Sequence, residues 1–177
     1  DNHTIRFIFP HAPEQAVTIN GGMRMPSWYD ITKISAAREI NSAQFQSSVA
    51  RVQLIIDSQI SGGIASRNII IAGFSQGGAV AYNAALTYSQ PLAGVLALST
   101  YIADELVVSS ANNNTPLELF HGEQDSVVPF FLGKAAHDQL QALGLAPKLH
   151  SYVMDHEVCS QQIADISAVL QEWCGYN

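Results

Sequence analysis

Short apolar runs alternate with helix-like stripes along this 177-residue chain, and the alternation constrains its fold more than any single motif does. Most of the apolar runs are bounded by Gly, Pro, Asn or Asp, as strands usually are. They predict five strands: Thr4–Phe9, Asn68–Gly73, Gly94–Ser99, Pro116–Gly122 and Lys148–Met154. Because strands that alternate with helices indicate βαβ units, the pattern predicts an α/β fold with a mostly parallel central sheet flanked by helices.

Four helices are predicted between and after these strands. From Ser42 to Ile60 apolar residues recur every three or four positions, and two glycines end the stripe. The other helices are an alanine-rich run, a stretch opened by a proline and closed by a glycine, and a C-terminal stripe: Gln76–Tyr88, Pro129–Gly144 and Ile163–Trp173. The stretch from Pro10 to Asp30 is predicted as a long polar loop. One domain over residues 1–177 accommodates all these elements.

Charge and cysteine content narrow the function classes. The net charge is −7, and the 8 basic residues are spread thinly, so a nucleic-acid partner is not expected. No apolar run approaches the ~20 residues that span a bilayer, which argues against stable membrane insertion. Cys159 and Cys174 would lie about 22 Å apart on one helix. We therefore expect two free thiols, which favours a reducing, cytoplasmic location.

Ser75 lies between Gly73 and Gly77 in the stretch GFSQG, where a predicted strand meets a predicted helix. A nucleophile elbow has this setting, because a strained turn lifts the serine hydroxyl above the sheet. The backbone N–H of Gln76, at the helix N-terminus, would then donate to an oxyanion. The alternative is an ordinary glycine-rich turn between strand and helix.

Two further residues complete a catalytic triad in the prediction. Asp125 follows the strand ending at Phe120, and His156 follows the strand ending near Met154. Such positions meet at one edge of a parallel sheet, where catalytic groups usually lie. The order Ser75, Asp125, His156 predicts a nucleophile, an orienting acid and a base. Glu123 remains a competing acid, Asp155 or Glu157 could orient the histidine instead, and His121 is interpreted as a packed or hydrogen-bonded residue.

Several longer motifs resemble one family. The stretches GFSQGGAVAYNAAL, FHGEQDSVVP, HEV and MPSWYDI are similar to those of the carboxylesterase and acyl-protein thioesterase branch of the α/β-hydrolases, in the arrangement common in bacteria. The resemblance covers Phe9 to Trp173. It implies the same triad of Ser75, Asp125 and His156, with no cofactor or metal. The substrates it implies are carboxylic esters, lysophospholipids or acylated proteins.

The chain departs from the family pattern in two places. Asp155 stands before the histidine where the family usually has glycine, which puts a carboxylate beside the base. Members also begin with further strands and a His-Gly-Leu-Gly-type loop that supplies one oxyanion donor, and these are absent upstream of Thr4. The fold is therefore expected to be incomplete at its N-terminus, with Gln76 as the remaining donor.

The apolar loop from Gly21 to Asp30 is predicted to shape the substrate site, with Met25, Trp28 and Tyr29 as substrate-binding residues. These residues could equally cover a sheet edge or serve a homodimer. The function expected from all of this is hydrolysis of short- to medium-chain acyl esters through an acyl-enzyme intermediate. The alternatives are a long-chain acyl-protein thioesterase or lysophospholipase, and a catalytically silent acyl-binding or scaffold protein.

Overall fold

A computed structural model describes residues 5–34 and 38–175. Four parallel strands form its main sheet, and two small antiparallel pairs precede them. The strands are β1 Glu14–Val17, β2 Met23–Pro26, β3 Ile31–Lys33, β4 Glu39–Ile40, β5 Ile70–Phe74, β6 Gly94–Leu98, β7 Leu117–Gly122 and β8 Pro147–Tyr152. The helices are α1 Ser42–Ser61, α2 Gln76–Leu86, α3 Phe130–Ala142 and α4 Ser160–Cys174.

The main sheet has the order β5-β6-β7-β8, so neighbours in space are neighbours along the chain. All three pairings are parallel. Every residue of β7 is buried, including the ionisable Glu118 and His121, as expected for a strand inside a parallel sheet that is covered on both faces. The predicted parallel sheet flanked by helices is confirmed, and within the described residues β5 pairs on one side only.

The strand predicted at the start of the chain is wrong. Ile5–Phe9 forms no strand, and the Phe7 and Phe9 side chains are exposed; Thr4 lies outside the described residues. A strand needs a neighbour for its backbone N–H and C=O groups. Among the described residues no such neighbour lies beside Ile5–Phe9, and apolar composition alone does not replace it.

The predicted long loop, Pro10 to Asp30, contains one short hairpin instead, and a second antiparallel pair of strands follows it. Strands β1 and β2 pair antiparallel, with Gly21 and Gly22 in the left-handed conformation at the turn. Strands β3 and β4 pair with an irregular register between Ile31 and Lys33. These strands have two to four residues each. Runs that short carry too few positions for an alternating pattern to be recognised.

Helices α1 and α2 bring the loop after β2 against the sheet. Asn41 caps α1 by accepting a hydrogen bond from the Gln44 N–H at 3.1 Å. The stretch Gly78–Leu86 of α2 is entirely buried, and its small side chains let the helix lie close to the strands on which it packs. A cluster of Tyr29, Phe45 and neighbouring apolar residues joins both helices to the loop.

The predictions on membrane insertion and on the two cysteines concern the helices. In the described ranges no helix combines the length and apolarity that a bilayer crossing requires. Cys159 and Cys174 are free thiols, as expected, at the two ends of α4. The helix between them keeps their side chains far beyond the reach of a disulfide.

Candidate active site

Ser75 occupies a strained turn between β5 and α2. Its backbone has φ 52° and ψ −122°, and among the described non-glycine residues only Ser99 shares a positive φ. Hydrogen bonds to the end of β6 and to the residues after it hold the turn in place. The Ser75 N–H donates to the Leu98 carbonyl at 2.8 Å. The Thr100 hydroxyl donates to the Ser75 carbonyl at 2.6 Å. The predicted strand–turn–helix setting of the serine is therefore present.

The two glycines that flank Ser75 serve different purposes. A Cβ on Gly73 would lie 2.3 Å from the Gly77 carbonyl oxygen, so the first glycine lets α2 begin against the end of β5. A Cβ on Gly77 would meet nothing nearer than the Trp28 indole nitrogen at 3.6 Å, an ordinary contact. Only the first position is closed to a larger residue by the backbone itself.

The structure brings Ser75, His156 and Asp125 into one hydrogen-bonded chain. His156 Nε2 lies 2.9 Å from Ser75 Oγ, and His156 Nδ1 lies 2.8 Å from Asp125 Oδ2. The side chain of Asp125 is buried, and its other oxygen accepts from the N–H groups of Val127 at 2.9 Å and Val128 at 2.7 Å. These bonds fix the carboxylate so that one oxygen faces the imidazole.

The competing acids contact other groups. Glu123 accepts a hydrogen bond from the Ser151 hydroxyl at 2.7 Å. Asp155 accepts from the backbone N–H of His156 at 2.8 Å rather than from its ring, and Glu157 is exposed. Within the described residues, Asp125 alone pairs with the His156 imidazole.

His121 lies directly behind the acid. It is 2% exposed, and its Nε2 bonds to the Val128 carbonyl at 2.8 Å while lying 3.5 Å from Asp125 Oδ2. Burial lowers the pKa of His121 below its ordinary value. The ring is therefore neutral, with its proton on Nε2, and it supports the turn that carries Asp125. The sequence predicts a packed or hydrogen-bonded histidine at this position, and the structure identifies its partner as the Val128 carbonyl.

Gln76 fastens the loop after β2 to the serine turn. Its side-chain oxygen accepts from the Trp28 N–H at 2.8 Å, and its Nε2 donates to the Tyr29 carbonyl at 2.6 Å and the Ser27 hydroxyl at 3.0 Å. As the first residue of α2, Gln76 has a backbone N–H without an acceptor inside the helix. That N–H adjoins Ser75, as an oxyanion donor must.

A groove of about 270 Å³ opens beside Ser75. Its walls are mostly apolar, with Arg38 as a cationic member. Arg38 donates to the Val127 carbonyl, and its guanidinium lies 5.2 Å from the centre of the Tyr101 ring. The lining residues are Ile19, Ile31, Ile34, Arg38, Ser75, Gln76, Tyr101, Ser126, Val127 and Val128.

Met25, Trp28 and Tyr29, the predicted substrate-binding residues, do not line this groove. Tyr29 is fully buried, so it cannot touch a substrate; its hydroxyl lies 2.9 Å from that of Tyr101, which does line the groove. Burial, and to a lesser extent the nearby Tyr101, raises the pKa of Tyr29 well above its ordinary value. Burial also raises the pKa of Tyr101, so both hydroxyls stay protonated at neutral pH. Met25 lies on β2, and Trp28 is half-buried beside Gly77.

The groove residues missed from the sequence come from separate segments. Ile19 and Ile31 belong to the region around the hairpins, Tyr101 follows β6, and Val127 and Val128 follow Asp125. The one sequence signal that could have identified groove residues is the position of Val127 and Val128, shortly after the predicted acid Asp125. Across residues 5–34 and 38–175, no three His, Cys, Asp or Glu residues are grouped so that they could hold a metal ion.

Comparison with known proteins places these features in context. The sequence profile of the phospholipase/carboxylesterase family matches residues 1–174. Acyl-protein thioesterase 1 of Gibberella zeae is 34% identical over 95% of this chain and 77% of its own length. The protein of the same name from Neurospora crassa is 36% identical over 95% of this chain and 74% of its own. Acyl-protein thioesterase 1 homolog 1 of Dictyostelium discoideum is 40% identical over 82% and 66%.

Solved structures show the same fold. SOBER1 of Arabidopsis thaliana superposes with a TM-score of 0.89 at 28% identity, over 94% of this chain and 82% of that one. Acyl-protein thioesterase 2 of Zea mays has a TM-score of 0.77 at 22% identity, over 94% and 80%, which is a likeness of fold alone. The relatives by sequence are fungal or from Dictyostelium, so the expected bacterial arrangement is not supported.

Proposed function

Because the chain belongs to the phospholipase/carboxylesterase family of α/β-hydrolases, we propose that this serine hydrolase removes long acyl groups from thioester or ester substrates, as an acyl-protein thioesterase or lysophospholipase does. The observation that carries the proposal is the hydrogen-bonded chain of Ser75, His156 and Asp125 beside an apolar groove. Relatives named acyl-protein thioesterases, at 34% to 40% identity, favour this substrate class over short-chain esters.

Acylation follows from the geometry. Ser75 Oγ attacks the acyl carbonyl carbon while His156 Nε2, 2.9 Å away, takes the hydroxyl proton. Asp125 holds the Nδ1–H of the imidazole and stabilises the imidazolium that forms. The Gln76 N–H donates to the oxyanion of the tetrahedral intermediate. The intermediate then collapses: the bond to the thiol or alcohol breaks, and His156 returns the proton to that leaving group.

Deacylation uses the same groups in the opposite sense. A water molecule takes the place of the leaving group, and His156 removes a proton from that water. The water oxygen then attacks the carbonyl carbon of the ester on Ser75. The second intermediate releases the carboxylic acid and restores the Ser75 hydroxyl. No step in this sequence requires a group beyond the three side chains, the oxyanion donor and water.

Hydrolysis of short- to medium-chain esters is the second candidate function. The observation in its favour is the size of the groove, since about 270 Å³ lies just below the roughly 300–1,000 Å³ common for ligand pockets. A groove of this volume suits a shorter acyl group well, whereas a long chain would have to extend past Ile34 and Val127 into solvent. Both of those side chains are exposed at the rim.

Chain-length profiles decide between the two candidates. We expect kcat/KM on p-nitrophenyl esters to rise from acetate to palmitate, and an S-palmitoylated peptide to be cleaved. A fall beyond butyrate, with the thioester left intact, would favour the short-chain esterase. The Ser75→Ala variant is the matched control. A fluorophosphonate probe that leaves the folded wild-type chain unlabelled would instead support a silent acyl-binding protein.

A further inference from the structure

Asp155 joins the two loops that carry the acid and the base. Its Oδ1 accepts three hydrogen bonds: from the backbone N–H of His156 at 2.8 Å, the backbone N–H of Ser126 at 2.7 Å and the Ser126 hydroxyl at 2.8 Å. Its Oδ2 lies 3.1 Å from the same hydroxyl. One side chain thus connects the segment after β8 to the segment after β7.

These bonds lie at the outer end of the two loops, next to the triad. Ser126 directly follows Asp125, so the Asp155 contacts run alongside the bond between Asp125 and His156. Nearer the sheet, the backbone joins the same loops, since the Gln124 N–H donates to the Met154 carbonyl at 3.1 Å. The residues from Val153 to Cys159 form neither helix nor strand, so the segment lacks the regular backbone bonds of those elements and side-chain bonds help to position it.

We propose that Asp155 is a positioning residue, which fastens the His156 loop to the Asp125 loop and keeps the imidazole within reach of both Asp125 and Ser75. The inference rests on the proposed function, because it concerns the same triad. A residue without a side-chain acceptor at position 155, such as glycine, could make none of these bonds.

The electrostatics support a role as hydrogen-bond acceptor. Hydrogen bonds from the Ser126 backbone and hydroxyl, and then from the His156 backbone, lower the pKa of Asp155, so the carboxylate is ionised at neutral pH. Bonds to an ionised acceptor are shorter and stronger than neutral ones. The role of the acceptor can be tested apart from that of the charge. An asparagine at position 155 would keep a side-chain oxygen that accepts from the same donors but would carry no negative charge.

Three variants distinguish a role of Asp155 as hydrogen-bond acceptor from an effect of negative charge near His156. Asp155→Ala removes the acceptor, Asp155→Asn keeps it without the charge, and Glu157→Gln removes an exposed negative charge from the other side of His156. Each full-length variant is compared with wild type by the rate of Ser75 labelling with a fluorophosphonate, and by kcat and KM on p-nitrophenyl butyrate. Thermal melts establish that each variant is folded.

We expect D155A to lower the labelling rate and kcat by about 10-fold or more, because displaced catalytic groups lose rate steeply, while KM stays within about twofold. D155N and E157Q should stay within about threefold of wild type. A folded D155A that labels at the wild-type rate would overturn the inference, and so would D155N falling as far as D155A. If D155A does not fold, Ser126→Ala, which removes only the hydroxyl donor, should lower both rates about four- to fivefold, and an S126A within about threefold of wild type would refute the proposal.

The proposed function can fail separately. If the wild-type chain is not labelled at all, the hydrolase assignment of Ser75 fails before any variant is compared. If wild type is labelled and cleaves butyrate but spares long acyl chains, the substrate class is wrong and the Asp155 comparison is unaffected.

Discussion

The side chain of Gln76 donates to the Tyr29 carbonyl at 2.6 Å, across 47 positions of the chain. Gln76 therefore has two functions, since its backbone N–H adjoins Ser75 and its amide holds the loop after β2. Tyr29 in turn contacts Tyr101, which lines the groove. Tyr29 thus links the serine turn to Tyr101, a second lining residue that follows β6.

Replacing Gln76 by Glu tests that connection. The carboxylate keeps the shape of the amide but cannot donate to the Tyr29 carbonyl or the Ser27 hydroxyl, and two acceptors would face each other. We expect the free energy of unfolding to fall by about 1–3 kcal/mol, measured by urea denaturation. Gln139→Glu, on the exposed face of α3, is the matched control and should change stability by less than about 0.5 kcal/mol. Equal losses in the two variants would contradict the role of the Gln76 amide.

The orientation of Asp125 predicts a large effect of Asp125→Asn. The N–H groups of Val127 and Val128 would hold the amide oxygen at the Oδ1 position, which turns the amide nitrogen toward His156 Nδ1. The imidazole then accepts at Nδ1 and carries its proton on Nε2, where it cannot take one from Ser75. We expect kcat to fall on the order of 10³- to 10⁴-fold at pH 7.

The fold of the D125N variant should be retained, because the amide preserves the backbone bonds of the turn. A circular dichroism spectrum and a melting curve close to wild type would establish this. Glu123→Gln serves as the control, since Glu123 contacts Ser151 and not the imidazole. A comparable loss of kcat in E123Q would show that the acid has been misassigned.

The two glycines of the serine turn should respond differently to alanine. Gly73→Ala places a methyl group 2.3 Å from a backbone oxygen, so we expect a loss of about 1–3 kcal/mol or more in unfolding free energy, with reduced activity. Gly77→Ala meets only ordinary contacts and lies in the first turn of α2, where alanine favours the helix. It should be neutral to stabilising by up to about 1 kcal/mol. The reverse order of the two stabilities would contradict the steric argument.

His121 predicts a pH dependence of stability. Burial lowers its pKa in the folded state, so on acidification the unfolded chain takes up the proton first. Above the ordinary value of 6.5 both states are neutral and the residue contributes no pH dependence. Below 6.5 the unfolded state is favoured, and stability falls until the folded-state pKa is reached.

We expect His121→Gln to reduce this dependence, because a glutamine can donate to the Val128 carbonyl but does not titrate. Urea denaturation at a series of pH values below 6.5 gives the slope for each protein. His137→Gln is the control, since His137 lies near the surface of α3 beside Asp138 and away from the triad. If H121Q and wild type lose stability in parallel while H137Q does not, the assignment to His121 is wrong.

The main sheet and its helices could be predicted because each carries a repeated physical signal. Strands β5 and β6 are apolar runs that end at turn residues, and the α1 stripe follows the 3.6-residue period with glycines after its end. The candidate triad residues could be proposed from the sequence because parallel strands end at one edge of a sheet. Ser75, Asp125 and His156 each follow such a strand, and the structure brings their side chains within hydrogen-bonding distance.

The groove could not be predicted in the same way. Tyr29 is apolar enough to suggest a substrate contact, but its burial depends on Phe45 and Tyr101, which are distant in sequence. The strand predicted at Thr4–Phe9 has the right composition, yet strand formation depends on a neighbour that a local pattern does not reveal. The contacts of His121 and Asp155 likewise depend on how two loops approach each other.

The hydrogen bond between Ser75 and His156 joins residues 81 positions apart, and it requires β8 to be paired with β7. Contacts between residues this far apart in sequence are slow to form, because closing the intervening loop costs conformational entropy before the contact stabilises the chain. During refolding, far-ultraviolet signals from α1 and α2 should therefore recover before the chain can be labelled at Ser75. Fluorophosphonate labelling would thus time the docking of the C-terminal strand and helix, rather than the collapse of the core.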